Sequence, residues 1–250
     1  MISVCMATYN GAKFIKKQLE SILCQLSADD EVIISDDGST DQTIRIIKEI
    51  NDSRITILNH TPAIIEKHSL VNFRRATSNF ENTLAHSKGD IIFLCDQDDI
   101  WADGKVKIMS DELKKADLVQ CNCSIIDDEN KIIKHKFRDK CPFYANVLQN
   151  LISMPFLGCC MAFRRQVLDW VLPFPKDLIA HDFWIGVITL SMGSALFIDE
   201  PLHLYRQHNS NVSPGAGKSK NSFYTKITYR FEIASQVWDR LRFLKEHNQK

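Results

Sequence analysis

The sequence predicts an α/β protein with a mostly parallel central sheet flanked by helices. Two observations carry this. Short β-rich runs alternate with segments of helical period through the first hundred residues, the rhythm of repeated strand–helix–strand units. Those runs are apolar at consecutive rather than alternate positions, as strands covered on both faces are.

"ISVCMATY" opens as a strand. In "AKFIKKQLESILCQL" the residues Phe14, Ile15, Leu19, Ile22, Leu23 and Leu26 share one helical face. "DEVIISDDGST" is a second strand ending in acids, and "TDQTIRIIKEI" a helix with Thr40 or Asp41 as N-cap. "RITIL" is a third strand, and Asn79 to Ser87 a short helix closed by Lys88-Gly89. "DIIFLCD" is the fourth strand. After Trp101 the rhythm loosens: a helix near Gly104–Lys115, the run "ADLVQCNCSIID", and a loop or hairpin over 128–143. "FLGCCMAFRR" reads as a strand, "RQVLDWVL" as a helix stopped by "PFP", and "HDFWIGVITLSMG" as a further helix. "ALFID" is a strand, "EPLHLYRQHNSNVSPGAGKSK" a long polar segment, and the last thirty residues an amphipathic helix.

Charge narrows the function classes. The 250 residues carry 31 basic and 31 acidic side chains, so no global field points to nucleic acid. The start lacks the basic and long apolar regions of an export signal. Runs such as Phe183 to Leu190 are too short to span a bilayer. The expected location is cytoplasmic, or on the inner face of the cytoplasmic membrane. Eight cysteines contain no CxxC pair and sit mostly in apolar strands, so buried free thiols are expected rather than zinc or disulfides.

The acids point to a site. Open parallel sheets bind ligands beyond the carboxyl ends of their strands, and three strands end there in polar clusters: Thr8-Tyr9-Asn10, Asp36-Asp37-Gly38-Ser39 and Asp96-Gln97-Asp98-Asp99. Asp96 and Asp98, two apart on an extended chain, project to one side, where oxygen ligands suit Mg²⁺ or Mn²⁺ completed by substrate phosphates. The plainer reading makes these acids turn formers, with Asp99 capping the next helix. An EF-hand loop starting at Asp96 fails, because Trp101 stands where glycine is needed. Phosphoaspartate enzymes want their acids on the first strand.

With these marks the chain resembles the family 2 glycosyltransferases of GT-A fold, in the branch with rhamnosyl- and hexosyltransferases of O-antigen and capsule assembly. The motifs are "VCMATYNG", "IISDDGSTDQT", "NFENTLAHSKGDIIFLCDQDDIW", "LGCCMAFRR", "HDFW" and "EPLHLYRQHNSNVS". The stretch 59–78 departs from the family's short glycine-containing loop. The resemblance implies a GT-A domain over 1–215, with a nucleotide-sugar half at 1–101 and an acceptor half at 102–215, followed by a C-terminal appendage at 216–250. It implies that Thr8, Tyr9 and Asn10 line the nucleotide pocket and that Asp37 accepts the pyrimidine N3–H with Asp36 beside it. Asp96 would hold the ribose or a metal-bound water, Asp98 would bind the metal on the diphosphate, and Asp182 would be the general base, with His181 orienting it. Asp182 reads equally as a helix cap on spacing alone. Trp184, and more weakly Trp101, would stack on a sugar, against a plain core reading. Arg206 and His208 would reach the diphosphate, against a surface ion pair. Gly158-Cys159-Cys160 would let backbone approach the sugar. The implied partners are a UDP- or dTDP-sugar and a glycan or polyprenyl-diphosphate-linked acceptor. Segment 218–250 carries eight Lys/Arg against three Asp/Glu, with Phe223, Ile227, Phe231, Ala234, Trp238, Leu241 and Leu244 at helical spacing. It suits either an anionic membrane surface or the domain's own core. The rivals are a nucleotidyltransferase, whose basic glycine-rich loop "ATYNGAKF" lacks, and a non-catalytic binding module, which would have lost the acids or the base.

Overall fold

The computed structural model describes residues 1–61, 70–144, 146–208 and 223–247. Among these, nine strands form one sheet: β1 (Ile2–Thr8), β2 (Glu31–Asp36), β3 (Ile55–Asn59), β4 (Ile91–Cys95), β5 (Ile100–Trp101), β6 (Leu118–Ile126), β7 (Ile132–Lys134), β8 (Met161–Arg164) and β9 (Ala195–Arg206). The order is β3-β2-β1-β4-β8-β6-β9-β5, with β7 on β6. The first four strands pair in parallel, so their carboxyl ends lie along one edge. Beyond β4 the sheet turns mixed, because β8 runs antiparallel to both β4 and β6.

Successive side chains point to opposite faces of a strand, and the core divides accordingly. Val4 and Met6 of β1, with Phe93 and Cys95 of β4, face α1 (Ile15–Leu23), α2 (Thr43–Ile50) and α4 (Lys105–Glu112). Cys5, Ile92 and Leu94 face α3 (Val71–His86), α6 (Val167–Val171), α7 (His181–Met192) and α8 (Phe223–His247). Each fully buried aliphatic contributes about 1.5–3 kcal/mol. A short helix, α5 (Val147–Ser153), and a 3-10 turn at Gly158–Cys160 complete the second half.

Several expectations change. The short helix expected from Asn79 is sixteen residues long, starting at Val71. β9 continues through "EPLHLYR", expected as polar loop, because β6 supplies partners as far as Arg206 and β5 pairs its other edge. The packed face of α8 is formed by Ile233, Val237 and Leu244, with Leu241 at its edge, so Leu241 and Leu244 of the expected stripe pack inward while Phe231 is 72% and Trp238 73% exposed. Residues 62–69 of the unusual 59–78 stretch, most of the polar segment after His208, and the start and end of the basic segment 218–250 lie outside the described residues. No helix among the described residues is long and apolar enough to cross a membrane.

Candidate active site

The strand ends open onto a cavity of ≈ 700 Å³ lined by Thr8, Tyr9, Asn10, Asp37, Asp96, Asp98, Asp182 and His208, as the sequence predicts, and by Arg75 and Arg138 besides. Its rim is knitted from loop to loop. The Gln97 side chain holds both main-chain groups of Tyr9, accepting from its N–H at 2.9 Å and donating to its carbonyl at 3.0 Å. A Cβ on Gly11 would lie 2.4 Å from that Gln97 amide oxygen, so a side chain there would displace Gln97 from Tyr9. Asn10 itself has φ of +50°. Its N–H donates to Ser39 Oγ at 2.8 Å, and its side-chain oxygen accepts from the Thr40 N–H at 2.8 Å.

The two acids after β2 diverge. Asp37 faces the cavity, where Arg75 Nε donates at 2.7 Å and His60 Nδ1 lies at 3.1 Å. Arg75 also lies over the exposed ring of Tyr9, 5.1 Å from its centroid. Asp36, placed beside the nucleotide by the sequence reading, is instead turned inward. Its carboxylate accepts from Thr8 Oγ1 at 2.9 Å and from the N–H and hydroxyl of Ser39 at 2.8 and 2.5 Å. It is a turn organiser.

At the end of β4, Asp96 is half-buried, and burial together with Asp99, Asp98 and Asp182 holds its carboxyl well above the usual range. Asp98 meets His208 Nε2 at 2.8 Å. Asp99 does not cap a helix: α4 starts at Lys105 after Gly104, with no side-chain cap. Asp99 is buried, with His203 Nε2 at 2.8 Å and the Arg206 N–H donating at 2.7 Å. Burial and Asp98 push it up to about 8, against the Arg206 N–H, the Cys159 thiol and the Lys105 ammonium.

Behind these acids lies a buried relay. Lys105 Nζ donates to the Cys159 carbonyl at 2.8 Å, lies 3.0 Å from His203 Nδ1, and sits 4.6 Å from the centroid of the Trp101 ring. An ammonium only donates, so Nδ1 of His203 accepts, and its Nε2–H is the donor to Asp99. Burial and Lys105 hold the His203 imidazole well below its ordinary pKa, in keeping with this neutral tautomer. The acid cluster is therefore compensated partly from within the protein.

Arg206 and the tryptophans correct the sequence reading. Arg206, expected on a diphosphate, is 1% exposed. Its guanidinium donates to the carbonyls of Asp98 and Asp127 at 2.6 and 2.7 Å and to Asn130 Oδ1 at 2.8 Å, so it holds the acid loop in place. Trp184, expected against a sugar, has no exposed surface and donates its indole N–H to the Val171 carbonyl at 3.0 Å. It points into the core because α7 is apolar nearly all round and is covered by α6 and α8. Trp101 is buried as well.

Asp182 stands in the first turn of α7, where a carboxylate is favoured by the helix dipole, but the N-cap is Ala180. Asp182 nevertheless does part of a cap's work, because its Oδ1 accepts from the Phe183 N–H in the first turn at 2.8 Å. His181 stacks on Phe80 at 4.1 Å between centroids, and burial holds its pKa below the ordinary value. A Cβ on Gly158 would come within 3.3 Å of His181 Nε2 and 3.4 Å of Asp182 Cβ, so the 3-10 turn lies close against these residues. The sequence reading missed Arg75 and Arg138. Arg75 falls in the stretch that departs from the family pattern, and its sole signal was a cation in a helix leading to the acid strand.

Carboxylates of this kind suit a hard divalent ion. Among the described residues, no ammonium or guanidinium side chain directly answers the negative charge that Asp96 and Asp98 can carry. The ligand atoms at this acid cluster that lie within 4.8 Å of one another are those of Asp96, Asp99 and Cys159, with Asp98 outside that group.

A model of glycosyl transferase family 2 matches residues 3–172. The chain is 29% identical to a dTDP-rhamnosyl transferase of Shigella flexneri over 246 residues, covering 89% of this chain and 78% of that one. It is 25% identical over 221 residues to an Escherichia coli UDP-Glc:alpha-D-GlcNAc-diphosphoundecaprenol beta-1,3-glucosyltransferase, covering 85% and 79%. Its fold is similar to that of Staphylococcus aureus TarS residues 1–349 in complex with UDP-GlcNAc, with a TM-score of 0.66 and 17% identity, over 92% of this chain and 65% of that one.

Proposed function

Because the chain belongs to glycosyl transferase family 2 and has the GT-A fold, we propose that it moves one sugar from a UDP- or dTDP-activated donor onto a glycan hydroxyl, with inversion. The observation that carries this reading is the meeting of Asp37, Asp96, Asp98 and Asp182 in one cavity. Asp37, beside Tyr9, accepts the N3–H of a pyrimidine. Asp96 and Asp98 would hold the divalent ion at the diphosphate, with His208 beside Asp98. Mn²⁺ or Mg²⁺, when bound, supplies positive charge that stabilises the departing diphosphate.

Asp182 takes the proton of the acceptor hydroxyl as its oxygen bonds to the anomeric carbon. The bond from that carbon to the diphosphate breaks on the opposite face, so a single displacement inverts the centre. Arg206 and the Lys105–His203–Asp99 relay keep the acid loop in position during this change of charge. The rhamnosyl- and glucosyltransferase relatives support a role in surface polysaccharide assembly. We assign the catalytic domain to 1–215 and the appendage to 216–250, whose outward Phe231 and Trp238 favour peripheral contact with the inner membrane face.

The test is Asp182→Asn, assayed with a donor found by screening UDP- and dTDP-sugars. Turnover should fall by roughly 10²–10⁴-fold while nucleotide affinity stays unchanged. Near-normal transfer by the folded variant would refute the assignment.

A further inference from the structure

Five lining residues can carry positive charge: Lys13, Arg75, Arg138, His181 and His208. Three are answered by carboxylates, Lys13 by Asp128, Arg75 by Asp37 and His208 by Asp98, and burial disfavours charge on His181. Arg138 differs. Its guanidinium stacks on Phe137, 4.6 Å from the ring centroid, and no carboxylate among the described residues lies within ion-pair distance of it.

The position is built rather than incidental. Buried Asn122, midway along β6, grips the main chain of Arg138 from both sides: its Oδ1 accepts from the Arg138 N–H at 3.0 Å and its Nδ2 donates to the Arg138 carbonyl at 2.7 Å. The side chain is thereby aimed while its charge stays available. Around it, segment 131–140 sets Lys131, Lys134, Lys136, Arg138 and Lys140 against the single acid Asp139. The neighbouring cavity wall is apolar, made by Phe137, Met154, Phe156 and Leu157. That wall continues in sequence from α5, whose Leu148 and Ile152 are exposed.

We infer that Arg138 binds the diphosphate of an acceptor whose sugar is carried on a lipid, with the lipid's first carbons running along Met154 and Phe156 toward α5. This rests on the glycosyltransferase reading and names its acceptor class. A guanidinium matches phosphate oxygens two at a time, and an amphiphile with an anionic head meets both the basic segment and the apolar wall. The donor also carries a diphosphate, so the two sources must be separated.

With UDP and Mn²⁺ saturating, so that the donor subsite is filled, farnesyl diphosphate and farnesol are titrated into the full chain by calorimetry. Farnesyl diphosphate should bind and farnesol should bind far more weakly. Arg138→Gln should weaken the diphosphate by about tenfold or more and leave UDP affinity unchanged, with Arg138→Lys intermediate. Asn122 holds the main chain at 138, so the variants keep the loop. Equal affinity of parent and Arg138→Gln for farnesyl diphosphate overturns the inference. So does a matching loss of UDP affinity, which would assign Arg138 to the donor. Binding of UDP without any binding of lipid diphosphate overturns the inference alone, and binding of neither overturns it together with the glycosyltransferase reading.

Discussion

Replacing Lys105 by methionine removes an ammonium whose contacts are all internal. The side chain is fully buried. The substitution keeps the length and apolar stem, so packing changes little. The losses are the donor to the Cys159 carbonyl, the donor to His203 Nδ1, and the cation on the Trp101 face. Each orphaned acceptor costs about 1–3 kcal/mol, and breaking a buried charged network by removing one member costs about 3–5 kcal/mol. For a chain of this size each kcal/mol lowers Tm by roughly 2–4 °C, so the variant should melt about 6–20 °C below the parent. Calorimetric or circular-dichroism melting measures this directly. Asp99→Asn and Lys105→Met should be non-additive, because both act on the hydrogen bonds of the same His203 ring, with a coupling of about 0.5–3 kcal/mol. A Lys105→Met protein melting within about 2 °C of the parent, or strictly additive substitutions, would refute the relay.

The metal reading predicts that UDP binds roughly tenfold or more tightly with Mn²⁺ than with EDTA, and that Asp98→Asn removes most of the difference; equal calorimetric affinities would sink it. A pH effect is expected away from the site. Hydrogen bonds from Arg54 lower Asp52 to about 2 from 3.8. The pair therefore adds stability above pH 4 that is lost as pH falls through about 2, so Asp52→Asn should destabilise much more at pH 7 than at pH 2, and a pH-independent difference in Tm would contradict it.

The first four strands were legible because a strand buried on both faces reads as an unbroken apolar run, and three of them end in polar clusters at the same edge of the sheet. Asp37, Asp96, Asp98 and Asp182 come together in the cavity as expected. Lys105 was not legible: in "DGKVKI" a lysine looks like a solvated helix start, and only the distant His203 and Trp101 make burial tolerable. Arg206 was misjudged for the same reason in reverse. Its polar neighbourhood suggested a ligand, whereas the chain's own carbonyls, from the loop after β4 and the β6–β7 turn, take up its donors. Trp184 shows that an aromatic close to a candidate site residue carries no direction of its own; the all-round apolar α7 turned it inward.

The irregular pairing of β9 bears on how such a chain can change length. Opposite β6, Cys121 and Asn122 face Ile198 and Pro201, so Asp199 and Glu200 have no counterparts, and Leu202 has none before His203 resumes the ladder. Those unmatched residues set the phase of everything after them. Because alternate residues face opposite sides, deleting one of them would turn His203 and Tyr205 away from the acids and bring Leu204 to the place of His203. The turn at 127–131, by contrast, is exposed at its tip and phases no strand of the site. Insertions and deletions in homologous chains should therefore collect at that turn and avoid 199–202, even though both stretches look like polar loop.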